Sequence, residues 1–256
     1  MNAHLTSAAL YTRVKVRLAR GRLRRLKGRI RPAGVGHSPL PLAVTPVAGR
    51  SLLLRPPQLS DADRYAAVLL AHADDLADQH PQPAGSTDPW SADEALLSWT
   101  DRLLTERAQA RRGERFVELL LLSGQLVGEV SARIDHGTSS ADLTLWVDAP
   151  AADGVSSRLV AERGMALFLL HIGQAAHPPR RYFSEVPERV EPATGDEPAT
   201  GGELDRGALL ESLGFHREGR LLDSRLYRGR PAAHDIWVAH DTDVFRRNLQ
   251  AILDQA

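Results

Sequence analysis

Cysteine is absent from this 256-residue chain. Its absence excludes a disulfide scaffold, a zinc site built on thiolates and a cysteine nucleophile. It also fits a reducing compartment, so we expect a cytoplasmic protein. No apolar run approaches the roughly 18 residues that a membrane-spanning helix needs, and the sequence therefore predicts no membrane span.

Metal-binding and nucleophile motifs are also missing. The ten histidines include the pairs His171/His177 and His234/His240. Their six-residue separation, with no carboxylate partner on a helix, does not match metal-ligand spacing, so we predict no metal site. The chain contains neither a Walker loop nor a nucleophile elbow with a Ser/His/Asp set.

Acidic residues are absent from the first 60 positions, although the formal net charge of the whole chain is zero. Those positions hold twelve Lys and Arg, a net charge of +12. The remainder holds the other 20 Lys and Arg and all 32 Asp and Glu, a net charge of −12. This asymmetry predicts a basic arm attached to an acidic body. Since 43% of the residues are apolar, the body can bury an ordinary core.

Residues 1–33 form the predicted arm. Its apolar residues follow the 3-4-3-4 spacing of one helix face: Val16, Ala19, Leu23, Leu26 and Ile30. Three partners fit such a basic amphipathic helix: RNA, including a ribosome surface; an anionic membrane; and an acidic protein surface, on this chain or on a partner. Tyr11 is its only aromatic residue, so stacking on bases is not indicated. Residues 34–49, rich in proline and glycine, read as a linker.

An ordered domain is predicted over residues 50–256. The order of elements is β-α-α-β-β-β-α-β-α-β-β, followed by a last helix, which predicts a mixed α/β layer structure. Residues 187–202 contain the repeat EPATG twice and read as a mobile surface insertion. Strands are predicted at 51–55, 116–122, 125–134, 141–148, 181–186, 216–227 and 233–240, and helices at about 61–72, 92–111, 154–172, 204–213 and 243–253.

Four stretches in this order resemble one family. They are RSLLLRPPQLSDAD at 50–63, QLVGEV at 125–130, LLESLGFHREGR at 209–220, and Gly229 followed by His234-Asp235-Ile236. The third is similar to the LLEKLGF-x-x-EG segment of proteins that acetylate ribosomal-protein N-termini. Over about residues 50–242 the chain resembles the GCN5-related N-acetyltransferases (GNAT), in the RimJ/RimL-type branch.

The resemblance implies a mostly antiparallel central sheet with flanking helices. It also implies an enzyme that moves an acetyl group from acetyl-CoA to a primary amine, such as a protein N-terminus. A turn at a helix start would hold the pyrophosphate. Peptide N–H groups of a neighbouring strand would polarise the thioester carbonyl. The cosubstrate-binding residues implied in this way are Leu145, Trp146, Val147, Asp153, Gly154, Val155, Ser156, Ser157 and Arg206.

The candidate bases for the acceptor amine are Glu129, Asp142 and Glu185, and Tyr227 is the candidate acid. Each has a plain structural alternative: a solvated strand face for the carboxylates, and packing for the tyrosine. Trp146 either packs in the core or lines the acceptor groove.

Some positions depart from the family pattern. Asp153 precedes Gly154 where the branch often has a basic residue, and an acid there repels a pyrophosphate. Glu203 and Arg206 stand where the branch has Asn-x-x-Ser, and Leu210 stands where some relatives have an acid tyrosine. An alternative is therefore a catalytically degenerate protein of this fold that acts as a binding or scaffold module. An open groove between strands 141–148 and 181–186 would favour the enzyme.

Overall fold

The structure, a computed structural model, describes residues 43–71, 91–148, 154–187, 204–227 and 230–255. The strands are β1 (Ala43–Val47), β2 (Arg50–Arg55), β3 (Arg115–Leu122), β4 (Gln125–Asp135), β5 (Ser140–Val147), β6 (Arg181–Pro187), β7 (His216–Tyr227) and β8 (Arg230–His240). The helices are α1 (Ala62–Ala71), which follows a 3-10 turn at Leu59–Asp61, α2 (Ala92–Ala110), α3 (Ser157–Ile172), α4 (Arg206–Ser212) and α5 (Asp243–Asp254).

All eight strands form one sheet, in the order β1-β2-β3-β4-β5-β6-β8-β7. Every neighbouring pair is antiparallel except β5 and β6, which are parallel. The parallel pair needs a crossover, and α3 supplies it. The predicted α/β class with a mostly antiparallel sheet is therefore confirmed.

Helices cover the two faces of the sheet unequally. The face that we call the α3 face packs against α3, α4 and α5, in a core that includes Leu120, Leu143 and Tyr182. The opposite face, here the α2 face, packs against α1 and α2 around Trp99 and Trp146. Because side chains alternate along a strand, each strand residue can be assigned to one face from its neighbours.

Local sequence accounts for several boundaries. Thr242 accepts a hydrogen bond from the Phe245 N–H group (3.1 Å) at the start of α5, as an N-cap residue does. Asp205 does the same for α4 through the Ala208 N–H group (3.0 Å). Ser123 and Gly124, both with positive φ, form the turn between β3 and β4, as predicted for a hairpin.

Strand β1 was not predicted. Residues 43–47 lie within the segment read as a linker, and they pair with β2 along its whole length. Pro46 made that segment look like linker, but proline is tolerated on an edge strand, where one side of the backbone faces no partner. The basic arm at 1–33 and most of the EPATG insertion lie outside the described residues. Within the described part of the chain, no helix is long and apolar enough to span a membrane, and no cluster of side chains suits a metal ion.

Candidate active site

Strands β5 and β6 separate shortly after they meet. Their parallel pairing joins Ser140 to Arg181 and ends at Asp142 and Phe183. Beyond that point β5 stays with β4 as far as Val147, while β6 stays with β8 as far as Pro187. A V-shaped gap therefore opens in the middle of the sheet, with its apex at Asp142 and Phe183.

The peptide groups of β5 that face this gap follow from its pairing with β4. The Asp148 N–H group donates to the Val127 carbonyl (2.7 Å). Because peptide groups alternate in an antiparallel pair, those of Leu145 and Val147 face away from β4 and into the gap, where no residue of β6 pairs with them. Of the three residues predicted to donate peptide N–H groups, only Leu145 and Val147 can therefore do so, because the Trp146 peptide group faces β4.

A helix N-terminus follows the open end of the gap. Gly154, with φ of +74°, makes a turn that a side chain would strain. The Ser156 side chain makes no capping hydrogen bond, and the first helical bond runs from the Val160 N–H group to the Ser156 carbonyl (3.1 Å). The N–H groups of the first turn of α3 thus have no acceptor within the helix, and this turn contains no acid. Such a terminus suits an anion.

The other residues of the predicted turn lie in different surroundings. Val155 is partly buried against the core of the α3 face, and Ser157 is the first residue of α3. Asp153 lies outside the described residues. Arg158, in the first turn of α3, donates from Nη2 to the Ala208 carbonyl (3.3 Å) and so ties the helix to α4.

Helix α4 carries two of the departures from the family pattern. Arg206 is its first residue. Leu210 is buried in the core of the α3 face, with only 3% of its surface exposed. The position where some relatives have a tyrosine thus serves packing in this chain.

The three candidate bases come to one face of three consecutive strands. Glu129 on β4 pairs with Trp146, so both lie on the α2 face. Asp142 shares that face because it is four positions from Trp146. Glu185 shares it as well, since Tyr182 packs on the α3 face. Asp142 and Glu185 flank the apex of the gap from β5 and β6.

Glu129 is committed to a buried ion-pair network. It contacts Arg102, which also donates to the hydroxyl of Tyr65 and binds Glu106 (Nε–Oε1 2.6 Å). Burial raises the pKa of Glu106, although the charges of Arg102 and Arg115 oppose this effect. Burial also raises the pKa of Tyr65 well above its ordinary value. These contacts favour a structural role for Glu129.

Asp142 also has a cationic partner. Its Oδ2 atom lies 2.9 Å from Nη2 of Arg133, which is its pairing partner on β4. The arginine side chain is 69% exposed and that of Asp142 is 16% exposed, so solvent screens this pair from the arginine side.

The structure describes the side chain of Trp146 but not that of Tyr227, the other aromatic candidate. Trp146 packs in the core of the α2 face, where Tyr65 lies edge-on to it with ring centroids 6.4 Å apart. The ring of Tyr65 also lies 4.2 Å from that of Trp99, tilted by 31°. Tyr227 pairs through its backbone with Arg230, beyond the end of β6, and its side chain lies outside the described residues. Its role as an acid stays a prediction.

Two residues at the site were missed by sequence reasoning. Ser184 follows Phe183, the last residue of β6 that pairs with β5, and its hydroxyl donates to the Leu143 carbonyl (3.3 Å) across the apex. Gly128 on β4 brings β4 and β5 close together, because a Cβ atom there would lie 2.5 Å from the Trp146 carbonyl oxygen. The glycine in QLVGEV signalled a close approach, whereas nothing around Ser184 distinguished it from other strand serines.

Solved structures provide the comparison with known proteins. RimJ from Mycobacterium smegmatis, in complex with CoA-disulfide, has a TM-score of 0.63 at 24% identity, over 82% of this chain and 93% of that one. A ribosomal-protein-S5-alanine acetyltransferase from Vibrio fischeri has a TM-score of 0.58 at 17% identity, over 75% of this chain and 94% of that one. An acetyl transferase from Salmonella typhimurium has a TM-score of 0.56 at 15% identity, over 78% of this chain and 99% of that one. It modifies the N-terminal serine of a 50S ribosomal subunit protein.

No protein-family model matches the chain, and no curated protein matches it. The structural neighbours belong to the branch that the sequence motifs resemble, and the chain spans more than nine-tenths of each of the three. The chain therefore has the fold of the GCN5-related N-acetyltransferases.

Proposed function

We propose that this protein is an N-acetyltransferase that moves an acetyl group from acetyl-CoA to a primary amine, in particular a protein N-terminus. The observation that carries the proposal is the divergence of β5 and β6 after Asp142 and Phe183. A continuous sheet would have used the peptide groups of Leu145 and Val147 in its own ladder. Here they face a gap in which a strand-like ligand can bind.

The chain offers matching groups for each part of acetyl-CoA. The pyrophosphate is an anion, and the uncapped N-terminus of α3 beside Gly154 suits it. The pantetheine arm carries amides, which would pair with the peptide groups of Val147 and Leu145. Bound in this way, acetyl-CoA supplies an activated thioester, and a peptide N–H group facing the gap would stabilise the oxyanion that forms on its carbonyl.

The acceptor amine would approach from the α2 face. A protein N-terminus is largely an ammonium group at neutral pH and must lose a proton before it attacks. Asp142 and Glu185 present carboxylates on that face beside the apex, where they can hold the ammonium group and accept its proton. Holding amine and thioester together at the apex supplies much of the rate, because it removes the entropic cost of their encounter.

The structural neighbours support a protein N-terminus as the acceptor. The Vibrio fischeri protein is a ribosomal-protein-alanine acetyltransferase, and the Salmonella typhimurium protein modifies an N-terminal serine. The departures at Arg206 and Leu210 are what the alternative of a non-catalytic module rests on. The divergence of β5 and β6 favours the enzyme, because a continuous pairing of these strands would have supported the module.

Calorimetry with acetyl-CoA tests the proposal, with two glycine variants as a matched pair. Gly154 and Gly49 both have φ of +74°, and a Cβ atom at either meets nothing within 4 Å. A glutamate at each therefore adds the same strain and charge, but only Gly154→Glu brings the charge to the α3 N-terminus. We expect acetyl-CoA binding to wild type and Gly49→Glu, and at least tenfold weaker binding to Gly154→Glu.

The same proteins are then assayed for acetylation of short peptides with free N-termini. Transfer by wild type and Gly49→Glu, with little by Gly154→Glu, is the expected result. If wild type gives no heat with millimolar acetyl-CoA, the enzyme proposal is wrong. If Gly154→Glu binds as tightly as Gly49→Glu, the pyrophosphate position is wrong.

A further inference from the structure

We propose that the hydroxyl of Ser184 stabilises the sulfur that leaves in the transfer step, so that it takes the part of the leaving-group serine that the family pattern has at the position of Arg206. The inference rests on the proposed function. It adds a named residue at the reacting end of the gap, on the side opposite the carboxylates.

Ser184 lies at the apex itself. It follows Phe183, the last residue of β6 that pairs with β5, and its Oγ atom donates to the Leu143 carbonyl at 3.3 Å. That distance is long for a hydroxyl donor, so the bond is weak. A serine hydroxyl also rotates at little cost. The donor can therefore turn from the carbonyl towards an anion that forms beside it.

The side chain lies on the face from which the cosubstrate would enter. Tyr182, two residues earlier, packs in the core of the α3 face, so Ser184 shares that face. Its pairing partner on β8 is Trp237, and a Cβ atom on Gly207 of α4 would lie 3.3 Å from this indole ring. Ser184 thus lies beneath α4, on the side of the sheet that carries the α3 N-terminus.

The reacting end of the cosubstrate is expected at this apex. With the pyrophosphate at the start of α3, the pantetheine arm runs back along β5 from Val147 towards Leu143. Four residues of strand cover about 13 Å. The thioester then lies where β5 and β6 meet, within reach of the residue that follows Phe183.

Ser184 and Glu185 point to opposite faces because they are consecutive in a strand. One residue pair thus puts a hydroxyl on the thiol side of the apex and a carboxylate on the amine side. In the transfer, the amine nitrogen forms a bond to the acetyl carbon and the carbon–sulfur bond breaks. The sulfur leaves with the electron pair as a thiolate. The nitrogen loses one proton as an ammonium group before the attack and a second one after the carbon–nitrogen bond has formed. Both protons go to the carboxylates on the amine side and from there to solvent. Ser184 keeps its own proton while donating a hydrogen bond to the thiolate.

The two positions on α4 where the family pattern has a leaving-group serine or tyrosine do not supply a hydroxyl here. Leu210 is a buried core residue, and Arg206 begins α4 in place of the serine of the family pattern. Ser184 is a hydroxyl that the fold itself brings to the apex, independently of that motif.

The first test measures the thiol pKa of bound CoA from its ultraviolet thiolate absorption. A hydrogen bond to the charged form lowers a pKa. We expect the thiol of CoA bound to wild type to titrate below that of free CoA, and the pKa to rise by about one unit or more in Ser184→Ala. Ser212→Ala is the matched control, because its Oγ atom also donates to a backbone carbonyl (Leu209, 2.8 Å) but lies at the far end of α4.

The second test is steady-state kinetics with acetyl-CoA and a peptide acceptor. We expect kcat to fall about 10- to 100-fold in Ser184→Ala, as the loss of a hydrogen bond to a charged group predicts. The KM for acetyl-CoA should stay within about twofold, Ser184→Thr should restore most of the rate, and Ser212→Ala should resemble wild type.

The outcomes separate the two proposals. If CoA does not bind wild type, the proposed function and the role of Ser184 are both wrong. If CoA binds and its thiol pKa is the same in wild type and Ser184→Ala, only the role of Ser184 is wrong. A fall in kcat that Ser184→Thr does not relieve, with an unchanged thiol pKa, would assign Ser184 to the packing of the apex.

Discussion

Gly128 on β4 lies very close to β5, the strand that forms one side of the gap. A Cβ atom there would lie 2.5 Å from the carbonyl oxygen of Trp146 and 3.2 Å from the Cα atom of Val147, both backbone atoms that cannot rotate away. The spacing of β4 and β5 near the peptide groups of Leu145 and Val147 thus depends on a residue without a side chain. Glycine at this point is a requirement of the site as well as of the fold.

We predict that Gly128→Ala destabilises the protein by about 1–3 kcal/mol, because the strands must move apart to accept the methyl group. Urea unfolding followed by circular dichroism measures the change. Gly219→Ala is the control, since a Cβ atom on this other strand glycine meets nothing within 4 Å and its φ is not positive. Equal midpoints for the two variants would contradict the role given to Gly128.

Single residues show what sequence reasoning could and could not predict. Motif order predicted the segment from Leu145 to Val147 as part of the cosubstrate site. Only the pairing of Asp148 with Val127 then decides which peptide groups face the gap. The position of Ser184 at the apex is set by the residue at which β5 and β6 stop pairing. These strands come from distant parts of the chain, and no local sequence pattern encodes where they separate.

At the scale of elements, a buried network joins α1 and α2 to β4. Arg102 on α2 contacts Glu129 on β4, Glu106 one turn along its own helix, and the hydroxyl of Tyr65 on α1. Its side chain is 14% exposed, and those of the two glutamates 4% and 7%. Arg102 is the cation in contact with both carboxylates, while Nη2 of Arg115 lies 3.7 Å from Oε1 of Glu106. Removal of Arg102 therefore leaves buried negative charge that water cannot easily solvate.

We predict that Arg102→Met lowers the free energy of unfolding by about 3–5 kcal/mol at neutral pH. The control is Arg112→Met, because Arg112 makes the same Nε–Oε1 contact of 2.6 Å with Glu114, but both side chains are exposed. This control should unfold almost as wild type does, since water solvates the glutamate that remains. Similar losses in the two variants would show that burial of the network does not matter.

The pH dependence of Arg102→Met follows from Glu106. Burial raises its folded pKa, so the native state binds more protons than the unfolded state between the ordinary pKa and the raised one. The contribution of Glu106 to the free energy of unfolding is therefore fully present below its ordinary pKa and is lost as pH rises through its raised pKa. Because Arg102 lowers the pKa of Glu106, its removal extends this window upward. The deficit of Arg102→Met should shrink in acid, and a deficit that is constant with pH would contradict the assignment.

The limits of sequence patterns also differ between elements. Long strands with clear alternation or apolar runs, such as β3 and β4, were predicted almost residue by residue. Strand β1 was missed because its five residues include Pro46 and it is held by pairing with β2. Arg163 on α3 also donates to the Pro46 carbonyl. Tertiary contacts decide such a short edge strand, and its own propensity does not.

At the scale of the whole molecule, the charges of the chain separate at about residue 60. All Asp and Glu lie beyond that position, and ten of the twelve basic residues before it precede residue 34. On the body, many acids are already paired with arginines, as Asp142 is with Arg133 and Glu218 with Arg181 (2.5 Å). The excess of positive charge lies in the predicted arm, and the residues beyond position 60 hold 12 more acids than bases. The arm therefore reads as a tether for a polyanionic partner, or for the acidic body itself.

We predict that the full chain binds RNA or anionic vesicles with an affinity that falls as salt rises, and that deletion of residues 1–33 abolishes this binding. Fluorescence anisotropy with labelled RNA and vesicle co-sedimentation measure the two partners. A triple variant that replaces Leu23, Leu26 and Ile30 with alanine keeps every charge. It should bind RNA as wild type does but lose vesicles, because only membrane binding needs the apolar face. Binding that survives the deletion would contradict a tether in this segment. If the full chain binds neither partner and the deletion lowers the free energy of unfolding, the arm docks on the acidic body instead.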